Sequence, residues 1–231
     1  MATLSYHEQK DIENIKKLRE LQKELPSFCS DFFRGIETST STRTRIAYAY
    51  DLKIFFQFLK TANPGTFDNP SHTLTPSDLE KLTVTDLEEY IDYLKCHPSD
   101  TNEDVINTER GLMRKVSSLR SFYSYFFRNE RIEKNPAALV RMPKLHEKEI
   151  IRLEIDEVAK LLDEVEEGDK LTEKQKLYHE RTKVRDLAMM SLLLGTGIRV
   201  SECVGLNIND IDLDTCGARV YRKGGKESVI Y

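Results

Sequence analysis

Leu194-Gly195-Thr196-Gly197-Ile198-Arg199-Val200-Ser201-Glu202, followed by Val204-Gly205-Leu206, is the stretch on which the fold turns. Just before it, residues 188–194 are apolar on every side, which predicts the buried end of a helix that starts at Thr182 or Lys183. Gly195-Thr196-Gly197 stops that helix, because glycine accepts the left-handed backbone of a helix end. A short second helix is expected over 200–205. Then the character changes. Ile208, Ile211, Leu213, Ala218, Val220, Val229 and Ile230, with Gly224-Gly225 between the last two runs, read as a β-hairpin turning on the glycine pair.

Outward toward the N-terminus the chain reads as helix with short breaks. Residues 5–24 carry Ile12, Ile15, Leu18 and Leu21 at helical spacing and stop before Pro26. A short helix is expected around 28–36. Thr38-Ser39-Thr40-Ser41-Thr42 offers caps for a helix over about 43–61. Pro64-Gly65 and Pro70 read as a loop, and Thr75-Pro76-Ser77-Asp78 as the opening of a helical turn. Thr85 is expected to cap a helix ending near Cys96, and a long helix is expected over 103–129. Its stripe is Leu112, Val116, Leu119, Phe122, Tyr123 and Phe126. After Asn135-Pro136, the charged run 140–148 has a proline and no apolar period, as a linker does. A helix over 155–165 with Val158, Leu161 and Leu162 inward and an exposed insertion over 166–182 complete the reading. The predicted class is mainly α with a small β-hairpin or sheet. Its domains are a helical one over 1–140, a linker over 141–150 and an α+β portion over 151–231.

The whole is 231 residues, 39% apolar and 32% charged, a globular composition with room for one large or two small cores. No apolar run approaches the roughly 18 residues of a membrane span, and the first residues do not read as a signal peptide, so a cytoplasmic protein is expected. Cys29, Cys96, Cys203 and Cys216 are widely spaced and no His-Glu-x-x-His occurs, so no metal site is expected. The net charge of −4 hides segregation. Residues 110–134 hold seven Lys or Arg against two Glu, whereas 154–169 hold eight acids and one lysine. One positive and one negative face follow from such blocks.

Three groups of residues can carry chemistry. Arg199, fixed by the glycine turn, has Glu202 one helical turn on. The pair is either a guanidinium fork aimed at phosphate and steadied by a carboxylate, or a structural ion pair at a helix start. The hairpin tip Arg222-Lys223-Gly224-Gly225-Lys226 offers ammonium groups to a phosphate or a leaving oxygen, unless it is simply a solvated turn. Arg43, Arg45 and Lys53 on one helix, and Arg110, Arg114, Lys115 and Arg120 on another with Ser117, Ser118 and Ser121 between them, suit phosphate contacts or an ordinary solvated face.

Together these motifs resemble the tyrosine recombinases, the phage integrases and Xer-type resolvases. Thr44-x-x-Ala47-Tyr48-x-x-Asp51-Leu52 with Phe55 and Leu59 is similar to the first large helix of their core-binding domain. Val116 to Tyr123 resembles that domain's last long helix, and Asn135-Pro136 with Met142-Pro143-Lys144 resembles the linker. The Leu194–Glu202 stretch, Asp210-Ile211-Asp212-Leu213 and Lys223-Gly224-Gly225-Lys226-Glu227 resemble the opening of the catalytic domain.

The resemblance implies a helical, SAM-like core-binding domain followed by part of an α+β catalytic domain. It also implies site-specific recombination of double-stranded DNA through a 3′-phosphotyrosine, with neither metal nor cofactor. Arg199 would be a phosphate-clamping arginine, Glu202 its supporting acid and Lys223 the donor to the leaving 5′-oxygen. Arg43, Arg45, Arg110, Arg114, Lys115, Ser118, Arg120, Lys144 and Lys226 would touch DNA. The sequence departs from the family in having no His-x-x-Arg and, after Lys223, only Tyr231 as a tyrosine, in a strand-like run. The expectation is therefore a chain that stops within the catalytic domain, binds DNA, does not cut it and is a monomer. The complete enzyme would act as a homo-tetramer. The alternative is a non-catalytic fragment that occupies recombination sites.

Overall fold

The computed structural model describes residues 6–98, 103–146, 149–222 and 226–231. They fall into two compact units, Glu8–Glu147 and one that takes in Lys148–Tyr231.

In the first unit, α1 (Tyr6–Lys23), α2 (Cys29–Gly35) and α3 (Thr42–Ala62) follow the predicted helices closely. The Ser41 hydroxyl accepts the Thr44 N–H (3.2 Å) and starts α3. Two short helices follow, α4 (Pro64–Phe67) and α5 (Pro76–Leu79), and then α6 (Val84–Lys95). Strands β1 (Cys96–Pro98) and β2 (Asp104–Ile106) pair antiparallel, with His97 opposite Val105, before α7 (Glu109–Arg128).

Three expectations need correction here. Pro64-Gly65 starts a helical turn, since proline is tolerated where the first N–H has no partner in any case. Thr83, not Thr85, caps α6: Thr83 N–H donates to Asp86 Oδ2 (2.7 Å) and Asp86 N–H to the Thr83 hydroxyl (3.3 Å). The long helix begins at Glu109, because Thr108 accepts the Gly111 N–H (3.2 Å) and the residues before it are drawn into β2.

Aromatic rings fill this unit. Phe32, Phe55, Phe122, Tyr123 and Phe126 are buried, and Phe32 meets Phe122 edge-on at 5.2 Å and 88°. Such pairs contribute roughly 0.5–1.5 kcal/mol each beyond their burial. The packing locks α2, α3 and α7 together and so fixes which side of α3 and α7 remains open.

The second unit holds α8 (Ile155–Glu167), α9 (Glu173–Thr196), α10 (Val200–Cys203) and a sheet in the order β3 (Ile211–Asp212), β4 (Gly217–Arg222), β5 (Lys226–Ile230). The strands are antiparallel, with Ala218 between Ile211 and Ile230. The predicted hairpin is present, and its turn, 223–225, lies outside the described residues. Much of the expected insertion is helix: Thr172 N–H donates to Gln175 Oε1 (2.9 Å), opening α9 ten residues early. The apolar end of α9 is not buried all round. Met189, Leu192 and Leu193 pack on Ile198, Cys203 and Val220, whereas Leu194 stays 39% exposed, because the small layer of α10 and sheet covers one side only. On α8, Val158, Leu161 and Leu162 are half-buried.

Candidate functional site

The open side of α3 and α7 forms the first site. Arg43, Thr44, Ala47 and Tyr48 on α3 and Arg110, Met113, Arg114 and Ser117 on α7 line a cavity of about 540 Å³, to which Leu145 also contributes. The positions on each helix are three or four apart, so one helix face supplies each wall. Arg43 and Arg110 are exposed. Arg114 Nη1 donates to Asp51 Oδ2 and to the Ala47 carbonyl (3.3 Å), both on α3. Asp51 is 2% exposed, and burial lifts its carboxyl to about 6 against the pull of Arg114 and Lys115. Three guanidinium groups line this one concave surface, and Asp51 pairs with one of them.

Other predicted contacts lie elsewhere. Arg45, two residues from Arg43 and thus on the far side of α3, is buried and pairs with Glu37 (2.8 Å) beside α1 and α2. Lys115 is buried and donates to Asn107 Oδ1 (2.7 Å), its ammonium pulled below the ordinary value by burial while Asp51 pulls it back. Ser118 is fully buried, with no partner for its hydroxyl among the described residues. Ser117 is bonded to the Met113 carbonyl (2.8 Å). Arg120 spends its fork on the carbonyls of Ala137 (3.1 Å), Ala138 (2.9 Å) and Val140 (2.9 Å). Lys144 is exposed in the stretch after that segment.

The second site is the turn from α9 to α10. Gly197, with φ of 66°, ends α9, and Arg199 stands at the start of α10. Its N–H donates to Glu202 Oε2 (3.0 Å) and its Nη1 to Glu202 Oε1 (3.0 Å). The Arg199 side chain is 71% exposed and that of Glu202 is 6% exposed, so a covered carboxylate steadies an open guanidinium. The Arg199 N–H holds the Glu202 carboxyl below the usual range; burial opposes it, and the two guanidinium groups of Arg199 and Arg222 add to the lowering. Lys223 lies outside the described residues. Lys226 is exposed at the start of β5, opposite Arg222.

Residues 151–231 match the phage integrase family. The chain is 35% identical, over 89% of its length and 55% of the other's, to the tyrosine recombinase XerC of Caldanaerobacter subterraneus subsp. tengcongensis. It is 31% identical to the tyrosine recombinase XerS of Streptococcus uberis, over 94% of its own length and 66% of that protein. The chain belongs to the tyrosine recombinases, of the Xer-like kind. It spans between about half and two thirds of the length of these relatives. A solved structure, the integrase from mycobacterium phage Brujita, aligns with a TM-score of 0.38 at 15% identity, over 90% of this chain and 58% of that one.

Within this recombinase chain, reading the sequence missed Asp51 as a partner of Arg114, Asn107 as the partner of Lys115, and Arg222 as a second cation near Glu202. Asp51 carries the one available signal: an acid inside an apolar helical stripe, between Leu52 and Tyr48.

Proposed function

We propose that this chain binds double-stranded DNA through the α3–α7 face and supplies the Arg199 portion of a site-specific strand-exchange centre. The observation that carries the reading is the convergence of Arg43, Arg110 and Arg114 on one cavity in a chain of this family. Each phosphate neutralised there releases counterions, so affinity comes largely from the backbone. In the complete recombinase Arg199, held by Glu202, stabilises the charge that accumulates on the non-bridging oxygens as a tyrosine attacks the phosphorus. Lys223 protonates the leaving 5′-oxygen, and Lys226 and Lys144 add phosphate contacts. Residues 1–140 act as the core-binding domain and 151–231 as the opening of the catalytic domain, joined by 141–150. The complete enzyme assembles as a tetramer on DNA, while these 231 residues are a monomer, act in the cytoplasm and bind without cutting.

The reading is tested by titrating this chain against duplex DNA between low and high salt, and by challenging it with a nicked suicide substrate. Affinity should fall steeply with salt and no covalent adduct should form. Salt-independent binding overturns the DNA face. A trapped adduct overturns the lack of cleavage.

A further inference from the structure

Asp51 is the one carboxylate among the described residues that bonds an arginine of the α3–α7 cavity, and DNA binding as proposed above gives it no task. It is 2% exposed, and its Oδ1 has no hydrogen-bond partner among the described residues. A buried, half-satisfied carboxylate is costly and is poor evidence of a stabilising ion pair. Its geometry nevertheless constrains Arg114. Both N–H groups of Nη1 are taken, one by Asp51 Oδ2 and one by the Ala47 carbonyl, 63 and 67 residues away in sequence. Nε and Nη2 bond no other group among the described residues, on a side chain that is 43% exposed and lines the cavity. A long side chain that would otherwise sample many rotamers is thus held with three donors unspent.

We infer that Asp51 is a positioning residue for duplex binding: it acts through Arg114, fixing one edge of the guanidinium so that the other meets a DNA phosphate beside Arg43 and Arg110. This rests on the proposed DNA-binding reading. The cost of ordering Arg114 is met in the fold and not on binding, the usual gain from preorganisation. The groups facing the carboxylate are Arg114 and Lys115 on α7 and Tyr90 on α6, whose hydroxyl donates to the Asp51 carbonyl (3.4 Å). With an arginine and a lysine on one side and a buried phenol on the other, loss of the Asp51 charge leaves Arg114 without its anchor.

The test uses the 231-residue chain, its Asp51→Asn and Arg114→Ala variants and the double variant, titrated with a duplex across a salt series. Asp51→Asn should lower the salt slope by about 0.9, the loss of one phosphate contact, and weaken binding roughly eightfold at 0.1 M salt. The effect should vanish in the Arg114→Ala background, and the Asn variant should melt no lower than wild type at pH 7.5. Wild-type affinity should also fall as pH drops through about 6, by a component that Arg114→Ala lacks; this arm stands even if Asp51→Asn folds poorly. Binding by Asp51→Asn equal to or tighter than wild type overturns the inference, because removal of a repelling charge would then be the whole effect. So does an undiminished loss in the Arg114→Ala background. If wild type itself binds duplex without salt dependence, the DNA-binding reading fails, and that outcome is distinct from either of these.

Discussion

Replacing Arg120 with methionine keeps an unbranched stem of similar reach and removes the fork that holds three carbonyls. Of those acceptors, Ala138 belongs to an exposed residue and can turn to water, whereas Ala137 and Val140 are buried. Leaving two buried carbonyls without their charged donor costs about 1–3 kcal/mol each; with partial relaxation of a segment at the edge of the unit, the sum is about 3 kcal/mol. At about 4 °C per kcal/mol for a unit of this size, the melting temperature of the first unit should fall by roughly 10 °C. Lysine can reach one carbonyl but not three, so Arg120→Lys should lose about half as much. The assay is thermal and urea unfolding beside duplex titration at a temperature where every variant is folded. Affinity should stay within about twofold of wild type. If Arg120→Met melts with wild type while affinity falls tenfold, the guanidinium is a DNA contact and the bracing argument is wrong.

Two further outcomes follow from the electrostatics. On the strand-exchange reading proposed above, Arg199→Ala in a cleaving recombinase that carries this site should slow cleavage by about a hundredfold, on the order of 3 kcal/mol, and Arg199→Lys nearly as much, with DNA affinity little changed; cleavage restored by lysine, or affinity lost in step, would make Arg199 a mere contact. Burial works against the Asp78 carboxylate, yet hydrogen bonds from Lys81 (2.7 Å), the Thr75 N–H (2.9 Å) and His72 (2.9 Å) bring it down from 3.8 to about 2. Its folded value is depressed, so it adds about 2 kcal/mol above pH 4 that is lost as pH falls toward 2. Urea midpoints of wild type and Asp78→Asn should differ at pH 7 and converge in acid; a gap constant with pH would refute it.

Where a local rule decided the structure, the sequence was legible. Ser41 caps α3, and Leu52, Phe55, Phe56 and Leu59 mark its inner face, so the helix could be drawn to within a residue. The strands β1 and β2 left no such trace: at three residues each they are too short for a period-two pattern, and Cys96-His97-Pro98 reads equally well as the end of α6. The early start of α9 was hidden because its first turn is wholly polar and Leu177 and Tyr178 in the next are exposed, so no apolar stripe marks it. The same divide runs through the site. The sequence named Arg43 on one helix and Arg110 and Arg114 on another, and tertiary packing turns the three to one cavity. Helical spacing could not foresee that Arg45, Lys115 and Arg120 are turned to other tasks, because Glu37, Asn107 and the 137–140 carbonyls reach them only through tertiary packing.

The two units differ sharply in what shields their backbones. Among the described residues, twenty-seven buried side chains form the core of the first, against three in the second. Hydrogen bonds in α8, α9 and α10 therefore open without exposing much apolar surface, and opening that exposes little costs little. Their amide protons should exchange with solvent deuterium through local fluctuations, while those of α3 and α7 wait for global unfolding of the first unit. The Arg199–Glu202 pair thus sits on the more easily loosened scaffold. A duplex that engages Arg199 would register as slowed exchange along α9 well beyond the turn that holds the arginine.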